Sequence, residues 1–578
     1  NNGTIAVTGG TLNLGGSFTT ANVGTLTRMA GAVVLTGAAN NTGATWDITG
    51  IGTLSLGGGS LTGGTITGGN LATSSGTTTF DGVTVDANVT VTDTLQLRNT
   101  VTLTAGHGIT LGGTTAYGTL LYDGAATLGG TGSLVFASNG GYYGVLQNQS
   151  AGDTLTVGPG ITVSGSGTGA AFLGNASSDL ITLQGTLDAS VASKNWYVSG
   201  GPFVFDTGSH LNLSSGTVHL GYGSGSTWDN NGTIAVTGGT LNLGGSFDKA
   251  ALGTFSRTAG SVSLTGVLDI GGGSLDIGAA TFGTGGLTSV NNGTLKNGTL
   301  TTSGGVALTN AGNTYLDGIT LGTDITTSGG SYFWISNGLA LTSGITVTKG
   351  TTNWLFQGAG TQHLAVAGGI GSATVTQTGG GVYMYTGGSN LQVDAGVTLR
   401  GSGGLSYWSA AANVTNAGTL IADGGTFTID PATFTNAAGG LLSVTGGTMN
   451  ITAGTNFVNA GAASVSSGTL NINPGGAASP NWTNAGSIDV TGGTLKLGGR
   501  FTPTEIAAGH YSRSGGSVSL TGILDIGGGS FDIGAATFGT GGLTSVDNGT
   551  LKNGTLTTSG SVALTNAGNT YLDGITLG

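Results

Sequence analysis

The sequence predicts an all-β fold: a parallel β-helix, or β-solenoid, with three short strands per coil of 20–25 residues. Three observations predict it. Charge is almost absent, repeats occur on two length scales, and apolar residues alternate within the shorter repeat. Asp, Glu, Lys and Arg supply 6 % of the 578 residues, against about 25 % in an average soluble domain. Glu505 is the only glutamate and there are six lysines. Surface helices are built on those residue types, so amphipathic helices are nearly excluded. Thr, Ser, Asn, Val and Leu dominate instead, beside 122 glycines, which favours strands and turns.

The long repeat spans hundreds of residues. Asn1–Phe18 reads NNGTIAVTGGTLNLGGSF, and Asn230–Phe247 reads the same. A third copy begins at Asn484 as NAGSIDVTGGTLKLGGRF. Ser261–Gly322 and Ser517–Gly578 are nearly identical. Between the copies, TPTEIAAGHY (ending at Tyr511) replaces the shorter DKAALGTF (ending at Phe255). A tract that absorbs two residues without disturbing its flanks is expected to be a surface loop. The long repeats divide the chain into residues 1–229, 230–483 and 484–578, read as one continuous rod. The chain opens in mid-pattern at Asn1 and stops in mid-pattern at Gly578, so it is expected to be a fragment of a larger protein.

The short repeat sets the coil. Rungs begin at Asn416, Asn436, Asn459 and Asn484, giving lengths of 20, 23 and 25 residues. Phe427, Met449, Leu470 and Leu495 occupy one slot, and Ile429, Ile451, Ile472 and Leu497 the slot two residues on. Phe434, Phe457 and Trp482 stand two residues before the next Asn, as Trp228 stands before Asn230. Apolar residues alternate with polar ones, as in Leu495-Lys496-Leu497, which is the period-2 signature of a half-buried strand. Stacked coils would line these slots into columns, because a single coil cannot bury its own inner face. Asn and Gly are expected at the corners for their tolerance of left-handed backbone, and stacked Asn side chains are expected to bond corner carbonyls. At ~4.8 Å per rung, roughly 25 coils would make a rod of about 120 Å.

The pattern NNGTIAVTGGTLNLGG, with variants such as Thr154–Val157 (TLTV) and Thr65–Gly69 (TITGG), resembles the β-strand-repeat exoproteins of Gram-negative bacteria. These are the filamentous haemagglutinin-like two-partner secretion proteins and autotransporter passenger domains. The resemblance covers the whole chain. It implies a right-handed parallel β-helix, secreted or at the cell surface, serving as a structural or adhesive stalk or fibre in adhesion, aggregation or matrix formation. It also implies self-association, or host or bacterial surface glycans or proteins as partners. The alternative is a carbohydrate-acting or glycan-binding parallel β-helix.

Composition excludes several classes. With no cysteine, a disulfide scaffold and a thiolate metal site are impossible. The net charge of −12 opposes nucleic-acid binding and docking to anionic lipid. No apolar run approaches the roughly 18 residues of a membrane span, so no direct membrane insertion is expected. Carboxylate pairs occur at Asp269 and Asp276 and again at Asp525 and Asp532, but alternation alone predicts them as outward residues on adjacent strands. Arg28, Lys194, Arg257, Arg400, Lys496 and Arg513 are scattered singly, so the acid–base cluster of a polysaccharide lyase is missing. Gly271–Asp276 matches only half of a calcium-binding nonapeptide. The five histidines are isolated and read as exposed or turn residues. One outward slot holds Thr428, Asn450, Asn471 and Lys496, too irregular for an ice-binding threonine ladder. No enzymatic activity and no cofactor are expected.

Aromatic residues cluster in the middle of the long repeats. The candidate ligand contacts are Tyr142, Tyr143, Trp196, Tyr332, Trp334, Tyr383, Tyr385 and Trp408. Neighbouring aromatics on a strand point to opposite faces, so one of each pair should be outward, stacking on sugar rings or on protein. The alternative is that they cap wider coils or pack under loops.

Overall fold

A computed structural model describes residues 1–578. The fold is a β-solenoid of about 25 turns, with 58 % of residues in strands and 4 % in helices. The chain forms two compact units, Asn1–Gly271 with Gly278–Ser289, and Gly272–Ile277 with Val290–Gly578.

Between Thr154 and Leu243 of the first unit each strand pairs in parallel with the strand three further along the chain. One ladder runs through Thr154–Val157, Leu180–Leu183, Phe203–Phe205 and Trp228–Asn230. A second runs through Gly160–Gly165, Thr186–Ala189, His210–Leu213 and Thr233–Val236. A third runs through Ala170–Leu173, Asn195–Val198, Thr217–Leu220 and Thr240–Leu243. Three ladders make three sides, as the alternation predicts.

Both units depart from the three-strand rule in part: in the first, the single strand Gly118–Phe136 pairs with Tyr143–Asn148, Thr154–Val157 and Gly160–Gly165. In Thr419–Asp430 and Leu441–Ile451 one corner is a bulge inside a continuous strand, so a single strand serves two sides. The bulge sits at Asp423, Gly424 and Gly425, where Gly425 takes φ 69°. Glycine accepts that backbone without the Cβ clash that would break the ladder.

Coil length also varies more than 20–25 residues. Thr77 pairs with Thr94, 17 residues on, whereas Ala126 pairs with Leu155, 29 residues on. The ladders fix only the strands, and the corners absorb the difference.

The expected columns form. Phe427, Met449, Leu470 and Leu495 stack in register, as do Ile429, Ile451, Ile472 and Leu497. Phe434 stacks on Phe457 at 5.4 Å with rings 9° from parallel, and Phe457 pairs with Trp482. All are at most 1 % exposed, and each such side chain contributes about 1.5–3 kcal/mol by leaving water.

Asn416, Asn436, Asn459 and Asn484 also stack in register, but not in left-handed backbone, which other asparagines adopt (Asn99, Asn292, Asn297, Asn337, Asn548 and Asn553). The stacked four end extended strands and point inward. Each Nδ2 donates to the next Oδ1, at 2.8 Å from Asn416 to Asn436, 2.7 Å to Asn459 and 2.8 Å to Asn484. The ladder ends where Asn484 donates to the carbonyls of Glu505 and His510, at 2.9 Å each.

The tract around Glu505 is only partly a surface loop. Pro503–Ile506 is a 3-10 turn closed by a capping box, with Glu505 Oε2 accepting from Thr502 N at 2.8 Å and Thr502 Oγ1 at 2.7 Å. Ile506 is buried beneath it. The only glutamate is thus a cap, which satisfies a donor the turn leaves free.

Candidate functional site

Strand parity decides which aromatic rings face out. In Asn195–Val198, Trp196 is fully buried and Tyr197 faces outward. Trp196 therefore corrects the sequence reading: it is a core residue, 5.5 Å from the Phe136 ring, and its neighbour takes the outer face. Tyr142 and Tyr143 both remain outside, because the strand begins only at Tyr143.

The first unit carries an outward aromatic column. Phe172, Tyr197 and His219 occupy one slot on successive coils. Phe172 and Tyr197 stack at 4.9 Å and 16°, and Tyr197 and His219 at 4.9 Å and 10°. Tyr143 meets Phe172 edge-on at 5.5 Å, and Tyr117 meets Tyr143 at 4.6 Å. Asn242, one coil further, places Nδ2 3.1 Å from His219 Nδ1. An amide donates there, so Nδ1 accepts as part of a neutral imidazole, and burial lowers the His219 pKa. Because the stacked faces are consumed, edges and the outer tyrosines Tyr117, Tyr143 and Tyr222 meet solvent.

The second unit carries a broader face built on five successive coils. One outward slot holds Tyr315, Trp334, Leu355, Tyr383 and Ser406 in register. Leu355 is fully buried although it points away from the core, so the rings on either side must cover it. Trp334 contacts Tyr332 at 6.3 Å and Tyr385 at 4.8 Å. Trp408 reaches back to Tyr383 and to Tyr332, at 5.2 Å each. These contacts are edge-to-face, the geometry that aligns ring edges with the negative faces.

Two glycines make room for this arrangement. A Cβ on Gly381 would lie 2.2 Å from Tyr383 Cζ, and one on Gly404 would lie 3.2 Å from the Tyr383 hydroxyl. The Tyr383 ring therefore lies across bare backbone, and burial raises its phenol pKa. Tyr385, Tyr407 and Trp408 remain 36–40 % exposed. Neutral polar groups line the face: Gln357 Nε2 donates to Ser336 Oγ at 2.9 Å, and Gly381 N donates to Asn353 Oδ1 at 2.9 Å.

Of the eight candidate contacts, the fold brings Tyr332, Trp334, Tyr383, Tyr385 and Trp408 into one face. It sets Tyr142 and Tyr143 on another and buries Trp196. Sequence reading missed Tyr117, Phe172, His219, Tyr222 and Tyr315 as members. Register places them, and register is invisible until coil length is known.

Several ionisable groups elsewhere are committed to structure. Asp525 accepts from Gly527 N and Asn553 Nδ2, at 3.1 Å each. Asp532 accepts from Ser559 Oγ at 2.6 Å and Ser559 N at 2.7 Å. Burial opposes its charge, but the hydrogen bonds from Ser559 and Gly534 outweigh that and lower its pKa. Both aspartates thus brace turns. Asp179, fully buried, accepts from Tyr122 Oη at 2.9 Å and from the N–H groups of Asn148, Asn175 and Ala176. Burial and that carboxylate push the Tyr122 phenol far up. Lys349 is buried in the second unit, donating to the carbonyls of Thr352 and Gly379, and burial lowers it to about 7. Lys194, in the first, is lowered by burial to about 8. No group of three or more histidine or acidic side chains is placed to hold a metal ion.

An open cleft of about 530 Å³ lies in the second unit beside Ile506, Tyr511, Arg513, Phe531 and Asp532. Arg513 there donates to Thr544 Oγ1 at 3.1 Å and to the Thr540 carbonyl.

No family model and no curated protein matches the chain. Its functional reading therefore rests on the fold and on the outward faces.

Proposed function

We propose that the chain is part of an extracellular structural or adhesive stalk or fibre of a bacterial surface or matrix protein, secreted in the manner of the exoproteins its repeats resemble. The observation that carries this reading is the coil-on-coil pairing, in which nearly every inward side chain and many corner groups serve the stack. Charged groups are few, and several brace turns or lie buried, leaving outer faces rich in Thr, Ser and Asn. Such a surface supports display and lateral association more readily than chemistry. The proposal includes no catalytic role, no cofactor and no nucleic-acid partner. Display on an otherwise non-adherent bacterium tests it: the displayed chain should increase autoaggregation or retention on surfaces several-fold over an unrelated displayed repeat protein. Equal aggregation and retention would contradict it.

A second reading is a carbohydrate-acting or glycan-binding β-helix. The outward aromatic faces favour its binding half. Release of products from a glycan panel would support the acting half, and a flat result would remove it.

A further inference from the structure

We propose that the aromatic face of the second unit, centred on Tyr385, Tyr407 and Trp408, is a binding platform for a neutral polysaccharide. The inference deepens the glycan-binding reading above and does not depend on the stalk reading.

Four observations lead to it. The first is placement along the repeat. The copied segments supply one outward ring of this face, Tyr315, repeated as Tyr571, whereas Tyr332, Trp334, Tyr383, Tyr385, Tyr407 and Trp408 all lie between Gly322 and Asn484, outside the copies. The first unit does the same with different residues, between Phe18 and Asn230. A scaffold that repeats with this single outward ring has no packing need for the other six.

The second is construction. Leu355, Gly381 and Gly404 form a floor on which the rings interlock, so the exposed ones are held in place before any ligand arrives. Fixed rings lose little entropy on binding.

The third is charge. Between Tyr315 and Trp408 the cations are Lys349, which is buried, Arg400, which is paired with Asp423, and His363, whose Nδ1 lies 3.0 Å from Asp394. Asp317 accepts from Asn337 and Asp324 accepts from Thr346 N. No free cation is left to hold a sulfate, a uronate or a nucleic-acid phosphate. Rings edged by Ser336, Asn353 and Gln357 suit a ligand that is neutral and rich in hydroxyls, with C–H faces for stacking.

The fourth is size. Three rings of about 150–250 Å² each that are 36–40 % exposed offer on the order of 200 Å² in total. A stable protein partner needs about 800 Å² per side. The platform matches a few sugar rings and falls short of a second copy of the chain.

Affinity electrophoresis of the 578-residue chain tests this, with hydroxyethylcellulose, laminarin, galactomannan, xylan and amylose as neutral probes and alginate as the anionic control. At least one neutral polymer should retard the chain. The triple variant Tyr385→Ala, Tyr407→Ala, Trp408→Ala should lose at least tenfold in affinity while its far-ultraviolet circular dichroism and cooperative thermal unfolding are retained. Migration unaffected by every neutral polymer would overturn the proposal. So would equal retardation of the triple variant, or retardation by alginate alone. A dimer in sedimentation that the triple variant loses, with no retardation, would assign the face to a second copy. Failure here leaves the surface-display result for the stalk standing.

Discussion

At the residue scale, the stacked amides decide how corners are held. Asn436 both receives from Asn416 and donates to Asn459, so removing it leaves buried groups unpaired on two coils. Asn436→Ala should cost about 1–3 kcal/mol for each polar group so stranded, read from urea unfolding. Lys349 gives a pH test. Its folded pKa, about 7, lies below the ordinary lysine value of about 10.4. Between those values the unfolded chain binds more protons, so stability should rise with pH across that window, by at most about 1.4 kcal/mol per pH unit. Urea midpoints at pH 7 and pH 9 should differ in that direction, and Lys349→Met should reduce the difference, leaving the share that Lys194 contributes. Gly381→Ala should expel the Tyr383 ring from its seat and expose Leu355, seen as altered near-ultraviolet circular dichroism with unchanged far-ultraviolet signal.

At the element scale, strand parity separates rings that hold the fold from rings that do not. Phe457 lies between Phe434 and Trp482 in the core, so Phe457→Ala should cost about 3–5 kcal/mol. Trp408 lies on the outer face, so Trp408→Ala should cost well under that, about 1 kcal/mol or less. Thermal unfolding of the two variants reads the contrast directly. Alternation made the element type and the inward columns legible in the sequence, from Ile429 through Leu497. Which member of an aromatic pair faces out was legible only in part. Of the Trp196–Tyr197 pair, parity in Asn195–Val198 sends the tryptophan inward and the tyrosine out. The merged corner at Gly425 left no mark distinct from that of the other glycine pairs.

At the scale of the whole molecule, the repeats gave away the architecture because each coil needs its neighbours. They gave away less of the coil size, since loops such as those between Phe136 and Tyr143 lengthen a coil without touching its ladders. The candidate faces depend on register between residues about 20–30 positions apart, and no local pattern encodes that. Register is therefore the central claim, and the absence of cysteine makes it directly testable. Asn450 and Asn471 are stacked partners on the outer face, 3.4 Å apart between Nδ2 and Oδ1. Lys496 sits one coil beyond Asn471 in the same slot, about 10 Å from Asn450 at ~4.8 Å per coil, and a disulfide needs Cα atoms about 4.4–6.8 Å apart. The measurement is intramolecular disulfide formation in two double-cysteine variants under mild oxidation. Asn450→Cys with Asn471→Cys should cross-link nearly completely, and Asn450→Cys with Lys496→Cys should remain reduced. Cross-linking of the distant pair, or none in the stacked pair, would contradict the solenoid register on which both outward faces are built.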